Sequence, residues 1–170
     1  MPEGPKLRVP AVRPPFRIVL VEPEIPGNTG AIARTCAATG SPLHLVGELG
    51  FSLDEHGVRR AGLDYWHLVS VHRHGSLAEL RRAHPEGQMH LFSATAGRSY
   101  LEATMEPGDA LVFGRESVGL PGEILERHPD HVWAIPTSGP VRSLNLSNAM
   151  AIVLYEALRA CGGLGQTFLG

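Results

Sequence analysis

Short apolar runs alternate with helical patterns along most of this sequence, and this alternation most constrains the fold. The runs span residues 16–21, 43–46, 68–71, 89–92, 110–113 and 132–135. Their length and composition are typical of strands that are covered on both faces. Helical patterns occupy residues 30–38, 76–83, 122–127 and 148–160. Strand and helix in repetition predict a single-domain α/β fold with a mainly parallel sheet.

The composition fits one globular domain. The chain has 170 residues, of which 43% are hydrophobic and 19% charged, which excludes a disordered protein. No apolar run approaches the ~20 residues of a membrane helix, and the N-terminus lacks the apolar core of a signal peptide. We therefore expect a cytoplasmic protein without membrane contact, in which Cys36 and Cys161 stay reduced.

The two ends of the chain differ from its body. Residues 1–15 contain five prolines and three basic residues with almost no apolar periodicity, which predicts an extended or disordered tail. Residues 16–161 form the predicted domain, since neither a repeat nor a linker divides them. Residues 162–170 are then a C-terminal tail.

Charge and motifs exclude several classes of function. Because the net charge is −2, a nucleic acid would have to be held by local basic patches. The sequence has no dinucleotide-binding G-x-G-x-x-G after its first strand, no Walker loop and no G-x-S-x-G elbow. His67, His72 and His74 lie close along the chain, but without cysteine or carboxylate partners at a recognised ligand spacing. We therefore predict no metal site.

The helical pattern at residues 148–158 is apolar around nearly its whole circumference. Such a helix is buried on more than one side, and a domain with one sheet has limited room to bury it alone. A dimer interface is the favoured interpretation, and an internal core helix is the alternative.

Three loops rich in glycine, asparagine and serine each follow a predicted strand and open a helix. Residues 22–34 read EPEIPGNTGAIAR, where Asn28 or Thr29 could cap the next helix. Residues 112–121 read VFGRESVGLP, with glycines that let backbone approach a ligand closely. Residues 135–147 read IPTSGPVRSLNLS. Each alone is also typical of a helix cap or a glycine turn, but ligands of open α/β sheets bind at this edge.

Taken in order, N-x-x-x-x-x-R, F-G-x-E-x-x-G-L-P and R-S-L-N-L-S-N-A resemble the SPOUT class of RNA methyltransferases. The similarity is greatest to the TrmL-like tRNA wobble-position 2′-O-methyltransferases and covers residues 16–158. The resemblance implies an α/β domain with a C-terminal trefoil knot, assembled as a homodimer. It also implies S-adenosylmethionine as cofactor, the anticodon stem-loop of tRNA as partner, and methylation of the wobble ribose.

The same resemblance assigns roles to individual residues. The catalytic candidates are Arg34, Asn28, Ser143 and Asn145. The expected cofactor contacts are Ala94, Thr95, Gly114, Glu116, Ile135, Ser143 and Leu144. The RNA-contact candidates are Arg142, Arg59, Arg60 and Arg115, and the dimer-interface candidates are Tyr155 and Met150.

The chemistry of methyl transfer limits the role of Arg34. A ribose hydroxyl is barely acidic at neutral pH, and a guanidinium does not give up its proton in proteins, so Arg34 is a poor general base. We expect it to stabilise the developing alkoxide, with the proton leaving through phosphate, water or Ser143. In the family two subunits contribute jointly to one site, so the arginine would act on RNA held by the partner.

Other functions remain open at this point. The chain could methylate a different position of tRNA or ribosomal RNA, although such relatives often carry an added RNA-binding domain for which this chain has no room. It could also be a catalytically silent RNA-binding dimer, against which the intact motif residues speak.

Overall fold

The computed structural model describes residues 4–53 and 65–170. Its strands are β1 (Leu7–Arg8), β2 (Arg17–Val21), β3 (Leu43–Val46), β4 (Val71–His74), β5 (Met89–Phe92), β6 (Ala110–Phe113), β7 (Val132–Trp133) and β8 (Phe168–Leu169). Its helices are α1 (Pro26–Thr39), α2 (Leu77–Ala83), α3 (Gly122–Glu126) and α4 (Leu146–Ala160). Short 3-10 turns lie at Trp66–Leu68, Tyr100–Glu102 and Pro129–His131.

Six strands form the central sheet in the order β4-β3-β2-β6-β5-β7, and every neighbouring pair is parallel. The predicted α/β fold with a mainly parallel sheet is therefore confirmed. All five residues of β2 are buried, because Ile18 and Leu20 pack into the apolar cluster on one face and Val19 and Val21 into that on the other. Burial on both faces explains why residues 18–21 of this strand form a continuous apolar run.

Two of the element boundaries that differ from the predictions have a clear physical reason. The predicted strand at 68–71 is wrong, since Trp66–Leu68 form a 3-10 turn and β4 covers Val71–His74. Strand β4 lies at the edge of the sheet and has exposed residues, so it accommodates polar side chains. For this reason it does not appear in the sequence as an apolar run. Helix α1 begins at Pro26, where proline suits a first helical position, so Asn28 and Thr29 lie inside the helix and do not cap it.

Helix α4 is mostly buried within its own chain. Its buried side chains lie in the core shared with α1 and β6. The assignment of Met150 to a dimer interface is wrong, because its side chain is 0% exposed in that core. Two apolar side chains remain open to solvent, Ile152 at 39% and Tyr155 at 46% exposure.

The two chain ends pair with each other. Strand β1 is antiparallel to β8, with Leu7 opposite Leu169 and Arg8 opposite Phe168. Cys36 and Cys161 are both free thiols, and burial raises the pKa of Cys36 to about 12. Within the described ranges, no helix has the length and apolar content needed to cross a membrane.

Candidate functional site

A cavity of about 670 Å³ opens at the carboxyl ends of the central strands. Its wall is built from segments that follow β5, β6 and β7 and from the first turns of α1 and α4. The volume lies within the range of pockets that hold small molecules. The carboxyl edge of a parallel sheet is also where α/β proteins bind ligands.

Glu116 joins the loop after β6 to the start of α1. Its carboxylate accepts hydrogen bonds from the backbone N–H groups of Glu24 at 2.8 Å and Ile25 at 3.1 Å. The same carboxylate accepts a bond from the Asn28 side-chain amide at 3.2 Å. Helix α1 has no acidic residue in its first turn, so Glu116 supplies the negative charge that a helix N-terminus favours.

Asn145 joins α1 to the start of α4. Its amide nitrogen donates to the side-chain oxygen of Asn28 at 3.0 Å. Its own oxygen accepts from the backbone N–H groups of Ser147 and Asn148, so it caps α4 as residues of its type commonly do. Glu116, Asn28 and Asn145 therefore form one hydrogen-bonded chain, here called the amide relay, which ties together the three glycine- and asparagine-rich loops.

The loop after β6 is folded tightly on itself. Arg115 and Gly119 exchange two backbone hydrogen bonds, at 3.2 and 2.9 Å, and Gly119 has a φ of 73°. A Cβ on Gly114 would lie 2.2 Å from backbone atoms of Gly119 and Leu120. Glycine at position 114 is thus required by the close approach of two backbone segments, and this approach shapes one wall of the cavity.

One ion pair and two hydrogen bonds hold the outer side of the same loop. Arg115 donates to the carboxylate of Glu22, and this hydrogen bond raises the pKa of Arg115. Glu24 accepts bonds from the backbone and the hydroxyl of Ser117 at 3.0 and 2.9 Å. Glu22 itself has a φ of 50°, an uncommon conformation for a residue other than glycine. The turn after β2 and the loop after β6 are therefore fastened together.

Most residues predicted for the site come together at this cavity. Its lining includes Asn28, Ala94, Thr95, Gly114, Arg115, Glu116, Ile135, Arg142, Ser143, Leu144 and Asn145. Arg142 and Ser143 are exposed at the cavity, so both can meet a ligand that approaches from solvent. Arg59 and Arg60 lie outside the described residues.

Arg34 is the predicted catalytic residue that the structure does not bring to this cavity. It is exposed on α1, six residues after Asn28, which places it roughly 9 Å further along the helix axis. Its guanidinium lies over the ring of Tyr65, 4.6 Å from the ring centre. The ring of Tyr65 therefore contacts the cation through its aromatic face.

Several lining residues were missed by the sequence analysis. Phe113, Leu120 and Trp133 contribute apolar wall, while Ser93 and Thr137 add hydroxyl groups. Phe113 and Leu120 belong to the motif F-G-x-E-x-x-G-L-P, whereas the other three are distinguished only by their position at or after the carboxyl end of a strand. The mixture of apolar wall and scattered hydrogen-bonding groups suits a ligand with a flat ring and polar substituents.

The comparison with protein families identifies the class. Residues 15–155 match the SpoU rRNA Methylase family. Because this match covers most of the chain, the chain belongs to the SpoU methylase family. The resemblance to this class of RNA methyltransferases, first drawn from the three motifs, is thereby confirmed.

Individual relatives narrow the class further. The tRNA (cytidine(34)-2′-O)-methyltransferase of Saccharophagus degradans is 47% identical over 153 residues, which cover 89% of this chain and 99% of that protein. A solved structure described as giving insights into the 2-OH methylation of C/U34 on tRNA has a TM-score of 0.79 and 49% identity, covering 85% of this chain and 95% of its own. The AdoMet-bound rRNA methyltransferase of Sinorhizobium meliloti has a TM-score of 0.74 and 29% identity, covering 86% of this chain and 56% of its own.

Proposed function

We propose that this protein methylates the 2′-hydroxyl of the wobble nucleotide of tRNA in the cytoplasm, with S-adenosylmethionine as methyl donor and without a metal ion in the reaction. The observation that carries the proposal is the amide relay, which brings the three motif loops around one cavity. Relatives that cover most of the chain and share nearly half of its residues are named for this reaction.

The cavity fits the cofactor by its volume and its chemistry. Ile135 and Leu144 provide apolar wall for a purine ring, and Thr95 and Ser143 offer hydroxyls for a ribose or an amino acid group. S-adenosylmethionine, when bound, supplies a methyl group on a sulfonium, which is activated before the protein contributes anything. The protein has to align this methyl group with the ribose hydroxyl and to exclude competing water.

Asn28 and Asn145 act as positioning residues in this proposal. Both amides are occupied by each other, by Glu116 and by the first turn of α4. Their contribution is to fix the loops, so that Ser143 and Arg142 face the substrate from the rim. This refines their assignment as catalytic residues, because the bonds that both amides make hold the loops in place.

Arg34 stabilises the developing alkoxide from a second copy of the chain. The guanidinium lies outside the cavity of its own chain, and α1 contacts α4, which exposes Ile152 and Tyr155. A homodimer that covers these two side chains would bring the α1 helices next to the partner's cavity. RNA phosphates would then contact Arg142 at the rim and Arg59 and Arg60, whereas Arg115 is already paired with Glu22.

The C-terminal part of the domain forms the trefoil knot in this proposal. Strand β7 lies outside β5, at the edge of the sheet, and α4 then returns to contact β6 and α1. This return path carries the chain across the loops that follow β5 and β6. A knotted chain would hold the three cavity loops in one arrangement, in agreement with the alignment that methyl transfer needs.

Nucleoside mass spectrometry on tRNA that lacks ribose methylation tests the reaction. The protein with S-adenosylmethionine should add a 2′-O-methyl group in the anticodon loop. Arg34→Ala should lower the rate by about 10²–10³-fold, the cost of removing one group that stabilises an oxyanion. Because Arg34 does not line the cavity, its variant should bind the cofactor with unchanged affinity. Methylation elsewhere in RNA, or none at all, would overturn the proposed substrate or the proposed reaction.

Mixing two inactive variants tests the shared site. Arg34→Ala lacks the arginine, and Leu144→Trp fills the cavity, so each homodimer should be inactive. A mixed dimer would have one complete site, so a random mixture should recover roughly a quarter of wild-type activity. If the arginine served its own chain, mixing would restore nothing.

A further inference from the structure

Four histidines meet on one face of the sheet, at the edge remote from β5 and β7. His44 lies on β3, His72 and His74 lie on β4, and His84 caps the C-terminus of α2. The register places His44 opposite His72, and the two-residue period of a strand puts His74 on the same face as His72. Strand pairing and the position of α2 therefore gather histidines that are up to 40 residues apart in the sequence.

Three of these rings can direct a nitrogen toward a common point. His44, His74 and His84 each offer one ring nitrogen, and the three nitrogens lie within 4.8 Å of one another. Nδ1 of His44 is only 3.0 Å from Nε2 of His74. Two imidazoles bound to one tetrahedral Zn²⁺ place their nitrogens roughly 3.3 Å apart, so small side-chain rotations would complete the set.

His44 is the buried member of the cluster, and its ring is held in place by its neighbours. Its side chain is 1% exposed, yet its Nε2 has no hydrogen-bond partner among the described residues. A buried ring nitrogen without a partner is uncommon, since buried polar groups are nearly always satisfied. Its ring stacks on those of His72 and His74, with centroids 4.7 and 5.2 Å apart, which fixes its orientation.

The surroundings of the cluster include negative charge. Glu79 lies near His74, and Glu86 lies near His84 together with the guanidinium of Arg17. Imidazole binds a metal ion through the lone pair of one ring nitrogen, so the three rings can each supply one ligand atom.

We propose that His44, His74 and His84 bind a divalent transition-metal ion that prefers imidazole ligands, such as Zn²⁺, at a structural site separate from the cavity. The ion fastens the edge strand β4 to β3 and to the end of α2. The spacing of histidines along the chain predicted no metal site, because it matches no recognised ligand pattern. This site arises from strand register instead, and it does not depend on the proposed methyl transfer.

Calorimetric titration of the untagged full-length protein with Zn²⁺ tests the site. The wild type should bind one ion per chain, and bound Zn²⁺ should raise the melting temperature, since only the folded chain assembles the ligands. His84→Gln and His74→Gln should each weaken binding by at least about 100-fold, because even indirect changes around a metal can cost 10–100-fold. His67→Gln alters an exposed histidine on the turn before β4, and it should bind as the wild type does.

Co²⁺ gives a readout independent of stability. Absorption bands of a four-coordinate Co²⁺ should appear with the wild type and with His67→Gln, and should be lost in His84→Gln. Circular dichroism without metal checks that the variants are folded. The proposal is overturned if the wild type binds no ion in a one-to-one ratio, or if folded His74→Gln and His84→Gln bind it as well as the wild type.

Discussion

Polar side chains meet at two places on the central sheet, the carboxyl ends of β2 and β6 and the outer strands β3 and β4. In the amide relay at the first place, Glu116, Asn28 and Asn145 each have hydrogen-bond partners within the protein. At the second place His44 keeps a buried nitrogen without a partner among the described residues. The first cluster is held by hydrogen bonds within the protein and can position a ligand, whereas the second gathers three ring nitrogens that can bind an ion directly.

Both clusters differ from the surroundings of Arg34. Its side chain is exposed. Among the described residues, Tyr65 has the one aromatic ring that the guanidinium contacts. A charge that is held loosely at the surface can meet a partner molecule, which the closed relay cannot do. Substitutions in the amide relay should therefore change cofactor binding in the cavity. Substitutions at Tyr65 should lower the methylation rate without changing cofactor binding.

The relay depends first on the close approach at Gly114, and Gly114→Ala should have the largest effect. The new methyl group would lie 2.2 Å from the backbone of Gly119 and Leu120, so the loop must move. Displacement of a positioning loop by about 1 Å can cost on the order of 100-fold in rate. Activity assays and cofactor titration should both show the loss. Gly97→Ala is the control, because no heavy atom lies within 4 Å of its added Cβ.

The relay itself is broken by Glu116→Gln. Either orientation of the new amide leaves an NH₂ group facing N–H donors, where the carboxylate accepted three bonds. One unsatisfied group at this partly buried position should cost about 1–3 kcal/mol of unfolding free energy. Urea denaturation measures the loss, with Glu123→Gln on the exposed face of α3 as control. Equal stability of the two variants would show that the relay contributes little.

The sequence allowed the relay to be anticipated but not the histidine cluster. Parallel strands bring their carboxyl ends to one edge, where ligands bind, so the three loops rich in glycine, asparagine and serine were expected to lie at that edge. The partners within the relay follow from contacts 88 and 117 residues apart, which no spacing encodes. His44 and His84 escaped notice because strand order and register, not distance along the chain, decide which histidines are neighbours.

His90 differs from His44, because it is a buried histidine whose two ring nitrogens both have hydrogen-bond partners. Trp133 donates to its Nδ1 at 3.2 Å, so Nε2 carries the proton and donates to Asp109 at 3.0 Å. Burial lowers the pKa of His90, so the unfolded chain takes up a proton at a higher pH than the folded chain. Stability should therefore fall as pH drops below about 6.5, by at most ~1.4 kcal/mol per pH unit from this one group.

Unfolding curves between pH 7.5 and pH 5.5 would isolate this contribution. His90→Gln removes the titrating ring, so its stability should depend less steeply on pH than that of the wild type. His67→Gln, which changes an exposed ring, should leave the slope unchanged. An unchanged slope in His90→Gln would show that the buried ring does not govern acid stability.

Tyr65→Leu tests the contact that holds Arg34 at the surface, and it should have the smallest effect. Loss of the ring removes a contact between a cation and an aromatic face, worth about 0.5–1 kcal/mol at an exposed site. The arginine should then be less well placed, and the methylation rate should fall roughly two- to fivefold. Tyr65→Phe keeps the ring and should behave as the wild type. Cofactor affinity should stay constant in both variants, since Tyr65 does not line the cavity. If Tyr65→Leu lowered cofactor affinity as much as it lowers the rate, Tyr65 and Arg34 would belong to the cofactor site instead.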